Sequence, residues 1–492
     1  EAHYNLGNTL KKLGRLESAE GSYIEAIKLK SDFADAHSNL GATLEELGRL
    51  QEAKASNMRA ITLKPASADA HYNLGNTLKK LGSLESAEAS YTKAIDLKPD
   101  FSEAQCNLGN TLKELGRRDE ACLAYSQAIS VNPDFTEAHV NLGVAIKYVR
   151  FNSSIPKLYP ALIQLLTKKN IMRPSDVVRA IISLLKHDPL LKNLLIKRNS
   201  STSLKGTISL IERLDKLTLL HNLMRVCPLP DLQLEGFFVT IRSFLLTNLD
   251  NIKASHELVY FLSTLSLHCF TNEYVYHEKD EETQLISKLE EKISKLIKES
   301  KQPEVIELLC LASYRPLYRY DWCQNLESLD FLKEVKSRLI LEPLNEKVIA
   351  KSIPALTKVS DDVSHRVKEQ YERNPYPRWV NLGIPKEAKS ISKVCSEVNL
   401  HLPSESIKNV DTPAILIAGC GTGQHSIETA TRFSNCQVTA VDLSTASLAY
   451  AKRKTNELGI KNIEYMQADI LKLHKLEQKF DIIESIGVLH HM

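Results

Sequence analysis

Residues 415–423 read Ile415-Leu-Ile-Ala-Gly419-Cys-Gly421-Thr-Gly423, an apolar run that breaks into alternating glycines. Glycine turns the backbone tightly and lets a ligand approach the main chain where a Cβ would stand in the way. The next segment, Gln424 to Phe433, has helical spacing, so its first amide groups point back at whatever the loop holds. An ordinary strand-to-helix turn has the same outline, and the company the loop keeps separates the two readings. A second apolar run, Gln437 to Val441, ends in Asp442, 19 residues beyond Gly423. An acid at the tip of the second strand of a β-α-β unit is placed to accept hydrogen bonds from ribose hydroxyls. A third run, Ile463 to Met466, leads to Asp469. A fourth, Phe480 to Ile483, leads into a segment from Glu484 to Met492.

The dinucleotide fingerprint needs a glycine three residues after Gly421, and Gln424 stands there. Gly-x-Gly-x-Gly with Asp442 and Asp469 instead resembles the class I S-adenosyl-L-methionine-dependent methyltransferases. That resemblance implies that Gly419, Gly421 and Gly423 pass under the methionine part of the cofactor. It also implies that Asp442 holds the ribose, that Asp469 lies beside the adenine, and that the Ser485–His491 segment faces the transferred methyl. His490 and His491 are its candidates for accepting a proton or positioning the nucleophile; hydrogen bonding within the loop is the other reading of both. One position departs from the family pattern. Many members carry an acid two residues before the first glycine, where it helps orient the cofactor's amino group; here that residue is Ile417. The family's sheet has seven strands, and 82 residues run from Asp411 to Met492. A complete domain of this type needs about 100–200. The expectation is a partial α/β Rossmann-like domain over 411–492, C-terminally truncated and inactive as a fragment.

At the other end, Glu1-Ala-His-Tyr-Asn-Leu-Gly7 recurs with small changes from Asp35, Asp69, Glu103 and Glu137, always 34 residues on. This period resembles the tetratricopeptide repeat, a helix-turn-helix stacked into a superhelix. Leu6, Leu10 and Leu13 form one apolar stripe on the first helix. Gly7, Gly41, Gly75, Gly109 and Gly143 allow close helix packing, and Gly14, Gly48, Gly82 and Gly116 suit a left-handed helix end. Ala19, Tyr23 and Ala26 share a face of the second helix, and Pro65, Pro99 and Pro133 punctuate the repeats. Asn5, Asn39, Asn73, Asn107 and Asn141 recur at one position, with Asn8, Asn76 and Asn110 three residues further on. A ladder of amides, each both donor and acceptor, suits the backbone of an extended peptide. A similar ladder lines the repeats of O-linked N-acetylglucosamine transferases, which these repeats resemble. Hydrogen bonding inside the array is the alternative. The histidines His3, His37, His71 and His139 lie on separate repeats, against metal binding.

Between the two ends, residues 151–360 read as helices, with apolar spacing over 177–185, 210–223, 234–247, 255–270, 282–299 and 304–313. Pro228, Pro230, Pro316 and Pro343 interrupt them. No catalytic constellation is evident; His277, Glu278 and Asp280 read as a polar loop before a charged helix. Residues 361–410 form a linker containing Tyr371-Glu-Arg-Asn-Pro-Tyr-Pro-Arg-Trp379. A similar segment precedes the core in bacterial repeat-bearing methyltransferases. It reads as a lid over the methyl-donor site or as a strap that buries Trp379.

The organisation is therefore multidomain: an all-α tetratricopeptide-repeat superhelix (1–150), a helical middle region (151–360), the linker, and the partial methyltransferase domain. Net charge is +3 over 492 residues with no basic block, so nothing points to nucleic acid. Nine cysteines without C-x-x-C spacing argue against zinc and disulfides, and Cys420 reads as a packing residue. No run of about 18 uncharged apolar residues predicts a membrane span, and a cytoplasmic location is expected. The sequence does not settle the oligomeric state. The function expected is S-adenosyl-L-methionine-dependent methyl transfer, with the repeats recruiting a protein or peptide. The alternative is an interaction scaffold with a degenerate domain. No glycosyltransferase domain is visible.

Overall fold

The computed structural model describes residues 1–197, 204–357, 362–373, 375–385, 387–401 and 405–486. It divides into two compact units, Glu1–Leu165 and Leu166–Met492.

The first unit is built from nine repeat helices: α1 (Ala2–Lys12), α2 (Leu16–Leu29), α3 (Ala34–Glu46), α4 (Leu50–Leu63), α5 (Ala68–Lys80), α6 (Leu84–Leu97), α7 (Ser102–Glu114), α8 (Arg118–Val131) and α9 (Thr136–Ile146). Gly14 ends α1 with φ 71°, and the amides of Gly14 and Arg15 return to Lys11 and Leu10. That double closure needs a left-handed residue, which glycine supplies without strain. Inside the first, third and fourth hairpins the second helix presses an aromatic ring onto a glycine, and in the second hairpin Asn57 takes that place against Gly41. A Cβ on Gly7, Gly75 or Gly109 would stand 2.6–2.7 Å from the ring of Tyr23, Tyr91 or Tyr125. Leu6 of α1 is exposed, whereas its counterparts Leu40 and Leu142 are buried between adjoining helices. His37 and His71 each lie within hydrogen-bond distance of a turn carbonyl six residues earlier, and Gln105 donates to the equivalent carbonyl. This slot pins the repeat turns. The unit runs past residue 150 because Ser126 of α8 donates to the Lys157 carbonyl and Leu158 and Leu162 are fully buried.

The second unit begins with helices. Five of the six expected segments appear as single helices: Pro174–Lys186, Leu232–Thr247, His256–Thr271, Asp280–Lys298 and Val305–Ala312. The sixth does not. The expected 210–223 helix is two, Leu204–Leu214 and Thr218–Val226, because a turn at Asp215–Leu217 lets Leu214 and Leu217 both enter the core. Glu278, expected in a polar loop, receives both terminal nitrogens of Arg315 at 2.7 and 2.8 Å.

After these helices comes a parallel sheet of β1 (Ala414–Ala418), β2 (Gln437–Asp442), β3 (Ile463–Gln467) and β4 (Ile482–Glu484), in the order β3-β2-β1-β4. β4 starts two residues later than its apolar run. Asp481 ties the approach to β1 beforehand, through its amide to the Ala414 carbonyl and its carboxylate to the Ala414 amide. The loop helix (Gln424–Arg432) follows β1 and a second helix (Thr445–Glu457) follows β2. The chain passes outward from β1 in both directions, so the carboxyl ends of β1 and β4 flank a topological switch point, where open α/β sheets bind ligands. The free side of β3 is paired by residues 354–356: Gln467 donates to Pro354 and Leu356 donates to Gln467, both at 2.8 Å.

Candidate functional site

Gly419, Gly421 and Gly423 adopt φ of 79°, 50° and 86°, so all three need the left-handed region. Their surroundings differ. A Cβ on Gly421 would meet nothing within 4 Å, whereas one on Gly423 would lie 2.5 Å from the Ala451 Cβ. Gly421 leaves space and Gly423 permits helix packing. The amides of Gly419 and Cys420 both reach the Val441 carbonyl, which places the loop beside the end of β2.

Asp442 ends β2 and faces this loop. One carboxylate oxygen accepts the Gly421 amide at 2.8 Å and the other accepts the Ser444 amide at 2.9 Å. Burial raises its pKa above the usual carboxylate range, and the two amides only partly oppose that. Asp469, just beyond β3, is 2% exposed. Its Oδ1 accepts the Leu471 amide at 3.0 Å, while Oδ2 is buried without a partner. The five residues Gly419, Gly421, Gly423, Asp442 and Asp469 thus converge on the carboxyl ends of three adjacent strands. Cys420 is buried, which pushes its thiol well above the ordinary value, against a redox role. His490 and His491 lie outside the described residues.

Sequence reading missed two contacts from the supposed linker. The Trp379 indole donates to the Thr422 carbonyl at 2.9 Å, and Thr422 Oγ1 donates to the Pro377 carbonyl at 2.8 Å. Trp379 is buried and Tyr376 is exposed, so this stretch is tied to the glycine loop through the buried ring. In the helix Asp362–Arg373, Glu372 accepts the amides of Thr445 and Ala446 at 2.7 and 3.1 Å. It caps the helix that follows Asp442. No local pattern announces either contact, since the partners lie 43 and 73 residues apart.

A cavity of about 500 Å³ lies elsewhere in this unit, lined by Arg338, Arg378, Trp379, Tyr450, Arg453 and Lys454 among others. None of the loop glycines lines it. Arg378 faces Glu273 and Glu346, and Arg453 faces Glu342 and Glu346, so an internal ion-pair network accounts for these charges.

On the repeats, the asparagine ladder is partly engaged within the array. Asn39 Nδ2 donates to Asn8 Oδ1 at 2.8 Å and to the Tyr4 hydroxyl at 3.2 Å. Asn107 repeats this with Asn76 and Tyr72, Asn141 donates to Asn110, and Asn73 donates to Ser38. The side-chain oxygens of Asn39, Asn73, Asn107 and Asn141 accept no hydrogen bond among the described residues, whose contacts to these amides run through Nδ2, and Asn5 is exposed. The ladder therefore offers acceptors more than donors. Among the described residues no cluster of His, Cys, Asp and Glu is placed to hold a metal ion, and no helix is long and apolar enough to cross a membrane.

Comparison with known proteins agrees with both ends. The methyltransferase-domain family matches residues 415–492. The tetratricopeptide-repeat families match 68–101 and 7–48, 45–82 and 109–147. An uncharacterized Synechococcus protein is 36% identical over 81 residues, covering 16% of this chain and 19% of that protein. The (S)-coclaurine N-methyltransferase of Papaver somniferum is 32% identical over 95 residues, covering 19% of this chain and 26% of that enzyme. A probable (S)-tetrahydroprotoberberine N-methyltransferase of Papaver bracteatum is 28% identical over 107 residues, covering 22% and 30%. The chain thus spans less than a third of the length of these relatives. Among solved structures, MamA aligns at 22% identity with TM-score 0.28, covering 37% of this chain and 95% of MamA. YrrB, a repeat protein with an unusual peptide-binding site, aligns at 26% and TM-score 0.28, covering 33% and 83%. The chain joins a tetratricopeptide-repeat array to a methyltransferase domain.

Proposed function

We propose that this protein is a class I methyltransferase that uses S-adenosyl-L-methionine, with its repeats recruiting the protein or peptide partner. The observation that carries this reading is the buried, unpartnered Asp469 Oδ2, on the same strand ends as the open Gly421 and Asp442. A buried carboxylate oxygen without a donor is costly, and a ligand that donates to it relieves the cost. The residues present fit the cofactor. Gly421 leaves room for its passage over the loop, Asp442 retains lone pairs for ribose hydroxyls, and Asp469 takes a donor from the adenine side. When bound, the cofactor supplies a methyl group already activated on a sulfonium, so the chain's task is chiefly alignment. His490 and His491 remain the candidates for guiding the acceptor's proton.

The repeat ladder supports recruitment through the unpartnered side-chain oxygens of its asparagines, which suit backbone N–H donors of an extended peptide. One observation favours the scaffold reading instead: Ile417 is buried in the apolar core where an acid is expected. Isothermal titration of S-adenosyl-L-methionine and S-adenosylhomocysteine into the full chain decides between them. Binding that falls at least tenfold in Asp442→Ala, with an unchanged melting temperature, supports the enzyme. No binding of either compound by the folded wild-type chain leaves the scaffold.

A further inference from the structure

The carboxylate absent from β1 reappears one strand away. Glu484, the last residue of β4, stands in register with Ile417 of β1. Its side chain is 19% exposed, and its Oε2 accepts the Thr429 hydroxyl at 2.6 Å. His425 Nε2 lies 2.8 Å from the same oxygen, poorly aligned for a hydrogen bond. Burial pushes this carboxyl up, but the contacts from His425 and Thr429 outweigh it and hold the group below its ordinary pKa. Glu484 is therefore an anchored anion, and its second oxygen, Oε1, has no partner among the described residues.

Thr429 and His425 belong to the loop helix, whose N-terminal end carries no side-chain cap. Its first-turn amides are left for an anion, in the favourable field of the helix dipole. In the same turn Ser426 is fully buried and its hydroxyl lacks a partner. A positive helix end beside an anchored carboxylate is complementary to a zwitterion, a ligand with a carboxylate and an ammonium on neighbouring atoms.

We propose that Glu484 receives the ammonium, and the first turn of the loop helix the carboxylate, of the amino-acid end of the bound cofactor. This assignment rests on the methyltransferase reading and deepens it: β4 supplies the charge that Ile417 leaves out of β1. A tether holding β4 to the loop helix would need the same Thr429 contact but no charge. The Glu484→Gln variant keeps an acceptor for Thr429 and removes the charge, so it separates the two.

The experiment titrates S-adenosylhomocysteine and 5′-methylthioadenosine, which lacks the amino-acid end, into full-length wild type and Glu484→Gln. The expected result is a tenfold or greater loss for S-adenosylhomocysteine, with 5′-methylthioadenosine changed less than twofold. Equal losses for both compounds, or no loss for either, overturn the assignment while leaving the cofactor reading intact. Wild type that binds neither compound overturns both. Where Glu484→Gln does not melt cooperatively, Glu484→Asp replaces it. That variant keeps the charge on a shorter arm and is expected to weaken only S-adenosylhomocysteine; equal weakening of both compounds counts against the assignment.

Discussion

At the scale of single residues, two glycines two positions apart answer to different constraints. Gly423 has φ 86° and would place a Cβ 2.5 Å from Ala451 Cβ and 3.0 Å from Ala451 Cα. Alanine there meets backbone strain of about 1–3 kcal/mol and a clash that only movement of the following helix relieves. Gly421 has φ 50° and open space around it, so alanine costs about 1–2 kcal/mol of backbone strain alone. Gly423→Ala is therefore expected to lower the melting temperature markedly more than Gly421→Ala. Gly421→Ala is expected to lose affinity for S-adenosylhomocysteine beyond its stability cost, because the methyl fills the cofactor's path. Thermal melts and titrations of both variants check this; equal melting losses would mean that the helix yields around Gly423.

At the scale of elements, the methyltransferase sheet is held from outside its own motif. Trp379 holds the glycine loop at Thr422, and Glu372 caps the helix after Asp442. Trp379→Phe keeps most of the ring but leaves the Thr422 carbonyl without its donor. An unsatisfied buried acceptor costs about 1–3 kcal/mol, and the cost falls on the loop. Faster amide exchange across 419–423, with weakened cofactor binding, is the expected outcome in hydrogen exchange and titration. Unchanged exchange there would make Trp379 a passive filler. This arrangement also explains what was legible in the sequence. The glycine spacing, Asp442 and Asp469 are local patterns tied to strand ends, and the 34-residue period announces the helical hairpins directly. The Trp379 and Glu372 contacts depend on a chain path that no spacing encodes, and Glu484 becomes interesting only once β4 is seen in register with Ile417. The break at Asp215–Leu217 was hidden because two short helices in tandem preserve the apolar period of one long helix.

At the scale of the whole molecule, the two units are stabilised in different ways. The second unit draws on contacts between distant segments, such as Arg173 with Glu428 and residues 354–356 with β3. The repeat array is quasi-one-dimensional, so its stability is close to a sum over neighbouring hairpins, and its weakest hairpin sets where it opens. Among the hairpins the second is expected to be that one, from its internal pairing. Where its neighbours pair a tyrosine hydroxyl with an asparagine (Tyr23 with Asn8, Tyr91 with Asn76, Tyr125 with Asn110), it carries Asn57 and Ala42. Asn57 is fully buried, its amide reaches Thr77 at only 3.2 Å, and its carbonyl oxygen has no partner. Replacing Asn57 by tyrosine alone restores the ring on Gly41 but leaves its hydroxyl without an asparagine. Ala42→Asn together with Asn57→Tyr restores both. Relieving the orphaned carbonyl and regaining one buried hydrogen bond together give about 1–3 kcal/mol. The double variant is expected to raise the array's melting temperature by more than the two single changes summed, since the hydroxyl and the amide help only as a pair. A double-mutant cycle by thermal melting measures that coupling. A coupling near zero would show that Asn57 is already well accommodated, and that the second hairpin is not where the array first opens.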